Sequence, residues 1–366
     1  MLVNLANQFV EKGLEIHLVV FQKTGDYWNI LSPKVKVINI DRKGIRIIIP
    51  FAKYILKERP ASILAFMRGP NVIAIIANVL ALRKARLVIS ERCTYSKERL
   101  NVLKWLVGDS ILAEHLVKKI FAKILYPLAD EIIAVSRNVA EDLEKYGGYK
   151  KGRVKYIYNP TITPELFELA KEEIQHPWLA GTEPTILAVG RLNPQKNYYM
   201  LIEAFAKVRK SLKAKLIILG DVFTPAEKEE KIKLMNFVDD LGIKDDVDLA
   251  GFQKNPYAFM SRTTLFVSSS NFEGLPNVLI EALACDAPVI STDCESGPRE
   301  ILADGKYGTL VPVGNREILA EAIKEALSNL ESHKQMTLNF QKDAMYQFKR
   351  EYAAEKYLDV LLSYTR

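Results

Sequence analysis

Cysteine is scarce in this chain of 366 residues. The three present, Cys93, Cys285 and Cys294, are too few and too scattered for a disulfide framework, and no Cys-x-x-Cys spacing occurs. They fit a reducing compartment, and the sequence predicts no metal site. Histidine is nearly as rare, at four residues. His17 falls inside a predicted strand and reads as a core histidine, while His115, His176 and His333 read as surface residues, so no catalytic histidine stands out. Long apolar runs are missing too: the longest, near Val72 to Leu82, is broken by Asn78 and is too short to span a bilayer. No signal peptide is visible, and a cytoplasmic protein is expected. Aromatic–basic repeats and recognition-helix signatures are also lacking, which makes nucleic acid the least fitting partner. What the chain does have is a positive excess of +7, suited to a phosphate-bearing partner, and 49% hydrophobic residues, enough to build full cores.

Strand-like and helix-like runs alternate from end to end. Twelve strand candidates are Ile16–Phe21, Val35–Ile40, Ser62–Phe66, Leu87–Ser90, Glu131–Val135, Val154–Tyr158, Thr185–Val189, Lys215–Leu219, Val247–Ala250, Thr264–Val267, Pro288–Ser291 and Gly308–Val311. Most are continuous Val/Ile/Leu runs, the pattern of strands covered on both faces in a parallel sheet. The fold class is therefore α/β, with two Rossmann-like doubly wound sheets. The expected division is an N-terminal domain over 1–160, a proline-bearing linker over 161–183, a second domain over 184–345 and a terminal helix over 346–366. The chain opens on a helical stripe, Leu2, Leu5, Ala6, Phe9 and Val10, closed by Gly13. A βα unit puts its strand first, and in a doubly wound sheet that strand is central. The first strand of the N-terminal domain is thus expected to be missing from this sequence, leaving a gap in its sheet.

Two segments carry candidate chemistry. One is Glu273-Gly274-Leu275-Pro276-Asn277-Val278-Leu279-Ile280-Glu281, which follows the strand Thr264–Val267 and a Ser/Asn turn. It places one carboxylate in a loop and a second inside a helix, with Pro276 expected in the first helical turn. Free amides at that helix start, helped by the helix dipole, favour an anion. The other is Gly190-Arg191-Leu192-Asn193-Pro194-Gln195-Lys196-Asn197, between a strand and a helix. Arg191 offers a bidentate fork and Lys196 a point charge. A lysine close to a helix N-terminus works against the dipole, so its presence there suggests an anionic ligand.

The segments GRLNPQKN, SSSNFEGLPNVLIEALACDAPVISTD and SGPREIL, in that order, resemble the C-terminal domain of retaining glycosyltransferases of the group 1, or family 4, type. The likeness is strongest over Thr185 to Val313. It implies the GT-B fold, two Rossmann-like domains facing a cleft. Ser90-Glu91-Arg92 and the Ser-Gly-Pro-Arg-Glu run look most like the subgroup that extends lipid-linked oligosaccharides, often with an N-acetylhexosamine. The resemblance implies that Arg191 and Lys196 grip the donor diphosphate at Gly190, and that Glu273 binds the donor sugar. Amides of Gly274, Leu275, Pro276 and Asn277 would border sugar and phosphate, Glu281 would bind the ribose, and Gly251 and Phe252 would lie near the base. The nucleotide sugar, expected to be UDP-linked, is a substrate, so no cofactor and no metal are expected. The acceptor is expected to be a glycan on a polyprenyl diphosphate. Two other activities on this architecture are a UDP-sugar 2-epimerase and a non-catalytic nucleotide-sugar-binding protein. Asp286 stands where the family usually has Gly, and Gly220-Asp221-Val222 lacks the second Gly of the family turn.

On the acceptor side, Arg68, Glu91 and Arg92 end strands and are candidates for an acceptor phosphate or hydroxyl proton. A structural salt bridge fits them equally well. The stretch Glu114–Leu128 sets Leu116, Ile120, Phe121, Ile124, Leu125 and Leu128 among Lys118, Lys119 and Lys123. It reads as a domain helix with solvated lysines, or as a basic helix on the inner face of an anionic membrane.

Overall fold

The computed structural model describes residues 1–23, 27–96, 117, 119–220, 222 and 224–363. The chain divides into two compact units. One is Met1–Pro160 with Arg350–Arg366, and the other is Thr161–Lys349.

The first unit holds β1 (His17–Val20), β2 (Lys36–Asn39), β3 (Ser62–Phe66), β4 (Arg86–Glu91), β5 (Glu131–Ala134) and β6 (Val154–Tyr156). All pair in parallel, but in two separate sheets: β1 with β2, and β3-β4-β5-β6 in that order. The central strand β4 is almost wholly buried, whereas β1 is half-exposed along its length. The opening helix Leu2–Glu11 forms because its apolar residues recur on one face. Leu5, Ala6 and Phe9 are buried, and Gly13 carries the left-handed turn beyond it, at φ +84°. That face joins Ala353, Ala354 and Tyr357 of the terminal helix Arg350–Leu362, over Val88 and Ile133 of the sheet.

The second unit holds β7 (Thr185–Val189), β8 (Lys215–Leu219), β9 (Val247–Gly251), β10 (Leu265–Ser268), β11 (Val289–Thr292) and β12 (Thr309–Val311). They form one parallel sheet in the order β12-β11-β10-β7-β8-β9. Chain order runs outward from β7 to one edge and from β10 to the other. The reversal between β7 and β10 is the point where ligands of doubly wound sheets bind, beyond the carboxyl ends of the strands. Helices on both faces seal the sheet, with Leu201, Phe205 and Val208 of the helix Tyr198–Arg209 fully buried against Ile186, Ile218 and Val267.

Some expectations need correction. The stretch 161–183 is not a bare linker: it contains the helix Pro164–Lys171 and belongs to the second unit. Pro164 starts that helix at no cost, Leu166 is buried, and side chains of Asn255, Ser261 and Arg262 donate to the carbonyls of Leu169, Ala170 and Lys171 at its end. Glu114, His115, Leu116 and Lys118 lie outside the described residues. Further on, no continuous α-helix runs to Leu128. Phe121–Leu125 is a wide π-type turn and Tyr126–Leu128 a tight 3₁₀ turn, because Pro127 has no amide to continue the ladder. His17 is only half-buried and hydrogen-bonds Glu15 and the Tyr54 hydroxyl. His333, expected at the surface, is buried, with its ring nitrogens 3.2 Å from the Thr309 hydroxyl and the Asn329 carbonyl.

Candidate active site

The carboxyl ends of β7, β8 and β9 each terminate in a glycine, and the three are laced together. Gly190 N–H donates to the Leu219 carbonyl, and Gly220 N–H donates to the Gly251 carbonyl, both at 2.9 Å. Backbones approach so closely that a Cβ on Gly220 would stand 2.0 Å from the Gly190 carbonyl oxygen. A Cβ on Gly190 would meet the Lys196 side chain at 2.7 Å. The chain thus turns sharply off β7 and brings Lys196 back over its own strand end. The Tyr198 hydroxyl, donating to the Gly190 carbonyl at 3.0 Å, holds the loop closed.

The loop after β10 is stitched to the loop after β7. Asn271 donates through its backbone to the Gln195 carbonyl (2.8 Å) and through its side chain to the Pro194 carbonyl (2.9 Å). Ser269 Oγ donates to the Lys196 carbonyl at 2.7 Å, and Asn197 Nδ2 donates to Asn271 Oδ1 at 3.0 Å. These bonds bridge the switch point, and the candidate side chains Lys196 and Glu273 meet above it. Lys196 Nζ is 2.7 Å from Glu273 Oε1. Ser270 Oγ donates to the same oxygen at 2.8 Å, and Gln195 Nε2 donates to Glu273 Oε2 at 3.3 Å. The lysine and glutamate side chains are both largely shielded, at 17% and 10% exposure.

Glu273 is followed by Gly274, Leu275 and Pro276, all buried, and then by the helix Asn277–Ala284. Pro276 lies one position outside that helix rather than in its first turn, because its extended ψ of 99° makes it the N-cap. As N-cap, Pro276 offers no side-chain acceptor to this helix start. Gly297, at φ +93°, lets the following segment press on the loop. A Cβ there would stand 2.5 Å from Pro276 Cδ. Four residues into the helix, burial pushes the Glu281 carboxyl up to about 7, against a hydrogen bond from the Tyr257 hydroxyl that lowers it.

Arg191 is exposed, and among the described residues no group hydrogen-bonds or ion-pairs its guanidinium. Gly251 takes a left-handed φ of +71° at the end of β9, and Phe252 beyond it is 57% exposed. Asp286 adopts φ +66°, the conformation that a glycine at this position would take without strain. Its carboxylate is held by Gln341 Nε2 at 2.7 Å. Asp221 lies outside the described residues.

The three acceptor-side candidates occupy the first unit and are far less open. Arg68 and Glu91 are 4% and 1% exposed and lie 3.6 Å apart. Glu91 also accepts from Asn71 Nδ2 (3.1 Å) and from the Tyr126 hydroxyl, and the Arg68 guanidinium lies 4.0 Å over the Tyr95 ring. Burial drives the Tyr126 hydroxyl well above its ordinary range, reinforced by the Glu91 charge. These contacts make Arg68 and Glu91 members of a buried polar network. Arg92 is partly exposed, donates to Asn159 and to Met1 Sδ, and lies over the Phe66 ring. Burial lowers its affinity for the proton relative to a free guanidinium. Sequence reasoning missed Gln195, Ser270 and Tyr257. The first two lie inside the motif segments themselves and could have been suspected. Nothing local in the sequence ties Tyr257 to Glu281.

Known proteins resemble both parts of the chain. The family description Glycosyltransferase Family 4 matches residues 1–163, and Glycosyl transferases group 1 matches residues 170–343. One relative is the N-acetylgalactosamine-N,N'-diacetylbacillosaminyl-diphospho-undecaprenol 4-alpha-N-acetylgalactosaminyltransferase of Campylobacter jejuni. It is 35% identical over 268 residues, covering 72% of this chain and 66% of that protein. The chain therefore spans just under two thirds of that relative's length. A second Campylobacter jejuni protein, an alpha-1,4-N-acetyl-D-galactosaminyltransferase named for a GalNAc-bearing diNAcBac-PP-undecaprenol, is 26% identical. That match covers 98% of this chain and 93% of the relative. Among solved structures, Anabaena HepE in complex with UDP-glucose superposes with a TM-score of 0.77 at 19% identity, covering 98% of this chain and 94% of that one. A glycosyltransferase from Rickettsia africae superposes with a TM-score of 0.75 at 17% identity, covering 98% and 92%. With both units matched in turn, the chain belongs to the group 1 and family 4 glycosyltransferases and has the GT-B fold.

Proposed function

We propose that this chain is a retaining glycosyltransferase that moves a sugar, an N-acetylhexosamine in the favoured reading, from a UDP-linked donor to a glycan carried on a polyprenyl diphosphate. The Lys196–Glu273 pair at the switch point of the second unit carries this reading. A cation and a carboxylate are held by a shell of hydrogen bonds beside a helix start whose N-cap is a proline. Such a pair suits a substrate with a pyrophosphate at one end of the breaking bond and hydroxyls at the other. The names of the Campylobacter relatives, which specify N-acetylgalactosamine transfer and undecaprenyl diphosphate, favour the sugar and the lipid carrier.

Cleavage of the sugar–phosphate bond leaves the electron pair on the departing oxygen of the nucleoside diphosphate. Lys196 and Arg191, assisted by amides at the start of the helix Asn277–Ala284, stabilise that charge as it grows, in a geometry set before the reaction. They supply the positive charge, so the reading invokes no metal and no cofactor. Glu273 accepts from hydroxyls of the donor sugar and keeps the Lys196 ammonium aimed. Glu281 receives the ribose hydroxyls, and Phe252 with Gly251 borders the base. The acceptor hydroxyl attacks from the face the leaving group vacates. It gives its proton to the departing phosphate oxygen, so the configuration at the anomeric carbon is kept.

The test is transfer from UDP-N-acetylhexosamines to a polyprenyl-diphosphate-linked glycan, with product anomer assigned by NMR. Transfer with retention is the expected result. Hydrolysis or 2-epimerisation alone, or UDP binding without turnover, would contradict it.

A further inference from the structure

In the first unit, residues 42–57 read Arg-Lys-Gly-Ile-Arg-Ile-Ile-Ile-Pro-Phe-Ala-Lys-Tyr-Ile-Leu-Lys: five cations and no acid. The segment forms a 3₁₀ turn, Gly44–Ile47, that runs into the helix Ile48–Glu58. Phe51, Ala52 and Ile55 bury one face of that helix. The opposite face carries Ile49, Lys53, Leu56 and Lys57, spaced four, seven and eight residues along, so they share one side. Ile45 and Arg46 extend the stripe through the turn.

Every member of this stripe is open to water. Ile45 is 66% exposed, Ile49 56% and Leu56 43%. Arg42, Lys43, Arg46, Lys53 and Lys57 are all exposed. Lys57 lies 3.8 Å from Glu58, which Lys36 also approaches, and Arg42 donates to the Asp41 carbonyl. The charges of Lys43, Arg46 and Lys53 meet no described carboxylate. Bulky aliphatic groups left in water are costly, and a row of them between unneutralised cations is unusual for a surface with no occupant.

We infer that this stripe is a docking surface for an anionic lipid bilayer. The cations complement negative headgroups, and the three aliphatic side chains reach the acyl boundary between them. Nucleic acid would use the cations but not Ile45, Ile49 and Leu56, and the stripe offers no aromatic ring to stack on a base. The inference rests on this surface and not on the donor-site reading, so either can fail without the other.

The test is co-sedimentation of the full chain with vesicles of phosphatidylglycerol and phosphatidylcholine, against phosphatidylcholine alone. The expected result is binding to the anionic vesicles only, weakened by added salt. Arg46→Glu with Lys53→Glu should weaken it at least about tenfold, since each cation contributes on the order of fivefold. Ile45→Ser with Ile49→Ser should weaken it comparably while leaving the charge unchanged. The control, Lys210→Glu with Lys213→Glu, changes net charge equally on the second unit and should bind as wild type. Thermal melting of each variant reports folding. The inference is overturned if wild type ignores anionic vesicles, if the control loses binding as much as the patch variants, or if sedimentation shows the stripe instead holding two copies of the chain together.

Discussion

Lys196 Nζ, from the loop after β7, stands 2.7 Å from Glu273 Oε1, from the loop after β10. The two residues are 77 positions apart, and the sheet order alone brings their strands side by side. If Lys196 stabilises the departing diphosphate, Lys196→Ala should lower the turnover rate by on the order of 10²-fold or more, as loss of a preorganised transition-state donor does. Glu273→Gln keeps the acceptor oxygen but not the charge, and should retain more activity than Glu273→Ala. Steady-state kinetics with circular dichroism as the fold control measures both.

Glu281 should impose a pH dependence. Its folded-state value of about 7 lies above the ordinary 4.5, so the native protein holds the proton more tightly than the unfolded chain does. The resulting stability is fully present below the ordinary value and is lost as pH rises through 7. The urea midpoint should therefore fall between pH 5 and pH 8, and Glu281→Gln should flatten that fall. UDP affinity should move the other way, rising over the same window as the carboxylate becomes able to accept from the ribose. Titration calorimetry at several pH values checks this.

Gly220→Ala should be disruptive without touching a charged group. The new Cβ would sit 2.0 Å from the Gly190 carbonyl oxygen, and that atom is backbone that cannot swing aside. The loss should be about 3 kcal/mol, the upper end of what overpacking costs, in denaturant unfolding. Because Gly190 anchors the Lys196 loop, donor binding should weaken as well.

Glu91 offers a test between a structural and a catalytic role. It is 1% exposed, 3.6 Å from Arg68, and holds Asn71 and Tyr126. Glu91→Ala leaves the Arg68 charge buried without its counter-ion, which should cost about 3–5 kcal/mol. A variant as stable as wild type but inactive would mean that the carboxylate serves the reaction instead.

All twelve strands were legible to within about two residues, because continuous Val/Ile/Leu runs such as Ile186–Ala188 and Leu216–Leu219 have few alternatives in water. Gly190, Lys196 and Glu273 marked in the sequence the loops after β7 and β10, which the structure brings side by side. Less legible were features set by partners distant in sequence. The burial of Arg68 and Glu91 depends on Tyr95 and Tyr126, and the burial of His333 on Thr309. The helix Pro164–Lys171 was hidden in a proline-bearing stretch, and its end is satisfied by side chains some 90 residues away.

The most direct measurement is the initial rate of sugar transfer from a UDP-N-acetylhexosamine to a polyprenyl-diphosphate-linked glycan, compared between wild type and Lys196→Ala at matched stability. We expect turnover in wild type and a loss of two orders of magnitude or more in the variant. Equal rates in the two proteins would contradict the role given to the Lys196–Glu273 pair, and with it the functional reading built on that pair.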